Sequence, residues 1–331
     1  MKNIVLFFVL LILTLSCKDE KRIYLDSNGR MNHLLLVIDN SDWNGEIGDK
    51  LKEVIKTPVL GMPQEEFQFD VSQVAESSFG KMFKASRSVL IIREDSIRSF
   101  QSQRNVYAKP QQMVKISGTD KADIVAMLEE NKQKIIATFK DFDIQNIQEA
   151  HVGNSYEEGY FNTLTRLGLT MNIPKFFKKV DDTGDFLWLR QHLSGGIAKG
   201  DGSSNILVYS VPIPEDKSDL VSNVSHMRDT IGKKYIPGRK ENMFMITEKA
   251  VTPVVTETEL DNKTTYGTYG KWEVFNDFMA GPFLNYAIED VKNNRWIVLE
   301  AFVYAPSVDK RDYMFEVEAV LKTINIKKQA N

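Results

Sequence analysis

A single cysteine, Cys17, stands in a chain of 331 residues, directly behind an apolar run from Ile4 to Leu15. That one position removes several ways of holding a fold together. One thiol makes no intrachain disulfide, no Cys-ligated zinc site and no CxxC redox pair, so packing alone must stabilise the body. The apolar run is roughly a dozen residues, short of the ~20 that a membrane-spanning helix needs. With Lys2 ahead of it and the small Ser16 behind, residues 1–16 read as a signal peptide and are excluded from the fold. A cut at another position leaves a free thiol near the terminus as the alternative. No later segment has the length and apolarity of a membrane span.

Removing residues 1–16 takes Lys2 with them and leaves 41 basic against 45 acidic groups. The lysines are interleaved with acids throughout, whereas a nucleic-acid binder needs a clustered basic face to release phosphate counterions. No nucleic-acid partner is expected. At 42% hydrophobic and 10% aromatic, about 300 residues carry material for two cores, since single cores stop growing near 250–300 residues.

Thr14-Leu15-Ser16-Cys17 resembles the lipobox of bacterial lipoproteins, although Thr14 stands where that pattern usually has leucine. The resemblance implies a diacylglycerol on the Cys17 sulfur and an acylated new N-terminus, and such multiply acylated chains bind membranes durably. Lys18-Asp19-Glu20 resembles the export signal that sends some Bacteroidetes lipoproteins to the outer face of the outer membrane; a merely solvated tether is the other reading. Residues 17–32 then form a polar arm, and the implied partner is a membrane, reached through an N-terminal lipid.

Two folded domains are predicted, 33–152 and 160–328. In the first, His33–Ile38 and Ser88–Ile92 are apolar runs of strand length, as expected of strands buried on both faces. Alternation over Phe67, Phe69 and Val71 predicts a third strand and Met113–Ile116 a fourth. Lys50–Lys56 predicts a helix stopped by Thr57-Pro58. Thr119 is the expected N-cap of a helix running to about Phe139, with Ile124, Val125, Leu128, Ile135, Ile136 and Phe139 on one face. In the second domain, strand signals at Leu167–Pro174, Asp185–Arg190 and Asn205–Tyr209 precede a helix over Asp219–Lys233. A strand meander around Trp272–Phe275, Phe283–Ile288 and Trp296–Tyr304, with turns at Gly281-Pro282 and Asn293-Asn294, leads to a closing amphipathic helix over Asp309–Ile324. The order predicts an α+β protein of two sheet-plus-helix domains, the second an antiparallel sheet covered by helices.

"LTMNIPKFF" and "VLKTINI" resemble the ends of Mog1/PsbP-like domains, which implies that the strand carrying Ile-Pro opens the C-terminal sheet. The chain as a whole is similar to an uncharacterised Bacteroidetes lipoprotein family, a domain-of-unknown-function family, through "DWNGEIGDKLKEVI", "GMPQEEFQFDVSQV", "DFLWLRQHL" and "FVYAPSVDKRDYMFEVEAVL". Neither resemblance brings an activity or site residues.

Chemistry is sparse. His33, His151, His192 and His226 are scattered and form no HxH or HExxH pair, so no metal site and no cofactor is predicted. Asn40, Asp42, Asn44 and Gly45 imitate the start of an EF-hand loop, but its bidentate acid falls on Leu51. Asp181–Asp185 gathers three carboxylates, which reads as a turn ahead of an acid–base pair. The candidate ligand loop is "RQHLSGGIAKGDGSSN", which brings Arg190, His192, Ser194 and Lys199 together with glycines whose backbone can approach an anion. It lacks GxxxxGK[ST] and GxSxG, and no catalytic residues are assigned. The expectation is a noncatalytic, lipid-anchored envelope protein at the outer membrane, on its periplasmic or cell-surface face, binding another envelope protein or a glycan. The alternatives are an envelope hydrolase using the Arg190–Asn205 loop and an outer-membrane assembly factor.

Overall fold

The computed structural model describes residues 24–193 and 202–327, which form two sheet-plus-helix bodies meeting along one helix. The first contains β1 (His33–Val37), β2 (Asp70–Val74), β3 (Ser88–Glu94), β4 (Ser99–Arg104) and β5 (Gln112–Gly118), ordered β2-β1-β3-β5-β4. All are parallel except the edge strand β4. Pleat alternation explains the uninterrupted apolar runs. Leu34, Leu36, Leu90, Ile92, Val114 and Ile116 enter the core beneath α1 (Glu46–Ile55), α2 (Lys121–Glu130) and α3 (Lys132–His151). Leu35, Val37, Val89 and Met113 form a smaller cluster with Phe79, Phe83 and Val106.

The expected helix from Thr119 to Phe139 is two helices that part at Asn131. Its N-cap is Asp120, one residue later than expected. The Asp123 N–H donates to the Asp120 carboxylate at 2.8 Å, and the Thr119 N–H donates to the Asp123 carboxylate at 2.9 Å, a reciprocal arrangement that satisfies two donors at once. β2 begins at Asp70, so Phe69 is not a strand residue; it packs edge-on against Phe139 with ring centres 6.2 Å apart. β4, a polar and exposed edge strand, has no counterpart among the sequence expectations.

The second body contains α4 (Asn162–Leu167), β6 (Lys178–Asp182), β7 (Phe186–Leu193), β8 (Gly202–Pro212), α5 (Leu220–Tyr235), β9 (Met245–Thr247), β10 (Val254–Leu260), β11 (Lys263–Val274), β12 (Ala280–Asp290), β13 (Arg295–Tyr304) and α6 (Arg311–Leu321). Its antiparallel sheet runs β9-β11-β12-β13-β8-β7-β6, with β10 also paired to β11. Leu187, Leu189, Ile206, Leu299 and Val303 face α4 and α6, while Phe186, Leu207, Phe283 and Val298 join Val224 and Met227 of α5. Both faces are buried, and the architecture is the α+β one that the element order predicts. Two local expectations are corrected. The segment before Ile173-Pro174 does not open the sheet, because Leu169–Thr170 pairs only with Asn325–Ile326. Gly281-Pro282 lies inside β12, and the chain turns earlier, around Asn276 with its positive φ.

Between α5 and the sheet lies an ion pair with both side chains 1% exposed. Arg228 donates through Nη2 and Nε to Glu300 at 2.7 and 3.0 Å and through Nη1 to the Thr247 hydroxyl at 2.6 Å, and the Asn285 amide donates to Glu300 at 2.8 Å. The desolvation of both charges is thus offset by a set of fixed hydrogen bonds.

α6 joins the two bodies. Met314, Val317, Val320 and Leu321 pack under the C-terminal sheet, and Phe315 and Ala319 pack on Ile144 and Ile147 of α3. A helix apolar on two sides is an internal element, so the single amphipathic stripe expected here describes half of its packing. Its N-terminus is capped from the other body: the buried Glu66 carboxylate accepts the Lys310 N–H at 2.9 and 3.0 Å and the Arg311 N–H at 2.7 Å.

Candidate functional site

Antiparallel register brings distant aromatic residues onto neighbouring rows of one face of the C-terminal sheet. Trp188 and Arg190 project from β7 on the same face, two residues apart. Arg190 stands opposite Asn205 of β8, and Ser203 opposite Tyr304 of β13. Trp272 of β11 lies edge-on to Phe302 at 5.3 Å and to Tyr304 at 6.4 Å. Gly281 of β12 permits this approach, since a Cβ there would meet the Val303 carbonyl at 2.1 Å and the Trp272 indole at 3.0 Å. These side chains, with Ile236–Arg239 and Met279, enclose a cleft of about 230 Å3.

The polar element of the cleft is held in place. The Asn205 carbonyl oxygen, fully buried, accepts the Trp188 indole N–H at 3.0 Å and the Arg190 Nε–H at 3.1 Å, while the Asn205 amide donates to Ser203 Oγ at 3.0 Å. The guanidinium lies 4.7 Å from the Trp188 ring centre. Partial burial lowers the Arg190 pKa from its ordinary value. Its terminal nitrogens have neither a hydrogen-bond nor an ion-pair partner among the described residues. Arg239 adds a second cation, with Asp277 3.9 Å away. An aromatic wall beside a fixed guanidinium fork suits a planar anionic group carried on a ring-shaped ligand.

Other concavities differ in how their charges are used. A hollow of about 370 Å3 on the first sheet exposes Arg93 and Lys115, but Arg93 pairs with Glu76 and Asp95, and Lys115 with Asp95 at 2.9 Å. Those bonds, led by Lys115, bring the Asp95 carboxyl down to about 2. The acids of Asp181–Asp185 are likewise engaged: Asp182 accepts the Asn162 and Thr163 N–H groups at the start of α4, both at 2.9 Å, and Asp185 pairs with Arg166. Asn40–Trp43 is a helical turn in which Asp42 pairs with Lys121, and among the described residues no cluster of His, Cys, Asp or Glu has the makings of a metal site.

Of the candidate loop, Arg190 and His192 lie on β7 and face the same side. Ser194 and Lys199 lie outside the described residues, as does Cys17. His192 is exposed and stands opposite Ser203, yet no hydrogen bond links them, and no carboxylate orients the imidazole among the described residues. The residues that sequence reasoning missed are Trp188, Trp272, Phe302, Tyr304 and Arg239. The i, i+2 spacing of Trp188/Arg190 and of Phe302/Tyr304 is a signal that each pair shares a strand face, but only the register shows that those faces adjoin.

Residues 27–151 match the family model Domain of unknown function (DUF8532), and residues 159–323 match Domain of unknown function (DUF4837). Among solved structures, the chain is similar to the Ran-binding protein Mog1p of Saccharomyces cerevisiae, at 8% identity and a TM-score of 0.32 over 48% of this chain and 90% of that one. It is also similar to a Bacteroides thetaiotaomicron structure, at 12% identity and a TM-score of 0.25 over 50% of this chain and 47% of that one. No curated protein matches.

Proposed function

We propose, taking the chain as a DUF8532 domain followed by a DUF4837 domain, that it is a lipid-anchored protein of the cell envelope that holds an acidic saccharide without transforming it. The anchor is Cys17, and the place is the outer membrane. The ligand site is the cleft between Trp188, Arg190, Trp272 and Tyr304. One observation carries the reading: a guanidinium fixed through Nε to Asn205, with its other nitrogens unpartnered among the described residues, set against an aromatic wall. A sugar ring packs its C–H face on such a wall while its carboxylate meets the fork. The cleft is smaller than the roughly 300–1,000 Å3 of drug-sized sites, which fits one sugar ring of a longer chain.

Tryptophan fluorescence tests this reading, because Trp188 and Trp272 line the cleft. Titration with glucuronate oligomers is expected to give a saturable change that neutral glucose oligomers do not. A hydrogen bond to a charged group contributes about 1.5–3 kcal/mol, so Arg190→Met is expected to weaken binding by roughly 10- to 100-fold. No saturable change, or equal binding by Arg190→Met, refutes the reading. New reducing ends that disappear in His192→Ala would replace it with the hydrolase.

A further inference from the structure

The face from which the chain leaves toward Cys17 is hydrogen-bonded, basic and partly apolar. Leu25–Asp26 runs parallel to Ala108–Lys109, and Asn28 bridges Ser86, its N–H donating to the Ala85 carbonyl at 2.8 Å. The fully buried Gln111 amide ties these segments together. It donates to the Lys84 and Ser86 carbonyls at 2.8 and 2.7 Å and accepts the Tyr107 N–H at 2.9 Å. On this frame Leu25, Met82 and Tyr107 are 45%, 70% and 39% exposed. Lys81, Lys84 and Lys109 stand among them. Elsewhere in the same domain Lys50, Lys52, Lys115 and Lys121 each pair with a carboxylate. These three do not, among the described residues; Lys84 instead lies 5.0 Å from the Tyr107 ring centre. Asp26 is the one acid in the three segments 24–28, 79–87 and 106–111.

We propose that this face rests on an anionic lipid bilayer, so that the protein is oriented on the membrane as well as tethered to it. The inference rests on the reading of Cys17 as the anchor. Six residues lie between Cys17 and Tyr24, and the seven Cα-to-Cα steps, at 3.3–3.6 Å each, reach at most about 25 Å. An acylated Cys17 therefore keeps this face within about 25 Å of the headgroups, near enough to settle into the roughly 8–10 Å layer in which unpaired lysines are attracted to anionic lipid. Met82, Leu25 and Tyr107 are the side chains placed to enter the interface.

The test uses the chain from residue 17 onward bearing Cys17→Ser, which carries no lipid. Co-sedimentation is expected with vesicles of equimolar phosphatidylglycerol and phosphatidylcholine, to decline as salt is raised, and to be absent with phosphatidylcholine alone. Replacing Lys81, Lys84 and Lys109 together by Ala is expected to lower the partition coefficient about a hundredfold, from the attraction typical of each surface lysine. An unchanged urea midpoint shows that this variant is folded, and Met82→Ser, which leaves the charge unchanged, is expected to weaken binding through the apolar part of the same face. Equal binding to both vesicle types, no binding, or binding indifferent to the lysines overturns the inference. Mass spectrometry of Cys17 on the membrane-extracted wild-type chain separates it from the anchor reading. An acylated Cys17 with no vesicle preference sinks this inference alone, whereas a free thiol sinks the anchor and leaves this inference to the vesicle result.

Discussion

Glu66→Ala removes the side chain through which, among the described residues, the N-terminal domain caps α6. In the native protein its carboxylate receives the backbone N–H groups of Lys310 and Arg311, and Glu66 is 8% exposed. Truncation leaves both donors at a buried helix end without a partner. An exposed N-cap is typically worth ~1 kcal/mol, and a hydrogen bond to an ionised acceptor about 1.5–3 kcal/mol. A carboxylate at a helix N-terminus also meets the positive end of the macrodipole, up to ~2 kcal/mol in partly buried geometry. These contributions describe overlapping interactions and do not add, so the expected cost is about 2–3 kcal/mol. Urea unfolding followed by far-ultraviolet circular dichroism reads it, with Asp120→Ala as the exposed-cap control at ~1 kcal/mol. Because Glu66 belongs to one body and α6 packs under the sheet of the other, the variant is also expected to broaden or split the transition as the two domains uncouple. A cost no larger than that of Asp120→Ala, with a single sharp transition, refutes the view that this cap couples the domains.

Three further outcomes follow from the buried charges and from one glycine. Burial alone would raise the Glu318 carboxyl, but Lys140 of α3, Lys322 and the Tyr286 hydroxyl hold it down to about 2. Its stabilising contribution is therefore complete above the ordinary carboxyl value of 4.5 and is lost as pH falls toward about 2; Glu318→Gln is expected to have a shallower loss of stability over that window in acid titrations. Glu300→Leu leaves Arg228 buried and unpaired and is expected to cost about 3–5 kcal/mol in chemical denaturation, whereas Arg228→Met with Glu300→Leu recovers most of that loss. Gly61 has φ +76°, and a Cβ there would lie 2.7 Å from the Gly270 backbone nitrogen across the domain boundary. Gly61→Ala is expected to lower stability by about 1–3 kcal/mol, read as a reduced melting temperature.

Much of the fold is legible locally. The runs at His33–Val37 and Ser88–Glu94 are apolar without interruption because both faces of those strands are covered, and the spacing of Leu220, Val224 and Met227 announces α5. β4 escaped because Ser-Phe-Gln-Ser-Gln-Arg, on a solvated edge, has no apolar alternation to read. The break at Asn131 escaped because the apolar residues on either side keep nearly the same angular phase through the interruption.

Side-chain chemistry and order along the chain are enough to set the two cores, the absence of an intrachain disulfide and the α+β class, since hydrophobic periodicity and thiol count are local properties. What covers each face is not local. Met314 and Phe315 are adjacent in the chain and equally apolar, yet one enters the C-terminal core and the other packs against α3, a division set by the docking of two domains. The cleft likewise exists because strand register brings Trp188, Trp272 and Tyr304 together from positions dozens of residues apart, and Asn205 fixes Arg190 among them. Pairing of that range depends on the whole sheet closing, and only the tertiary structure contains it.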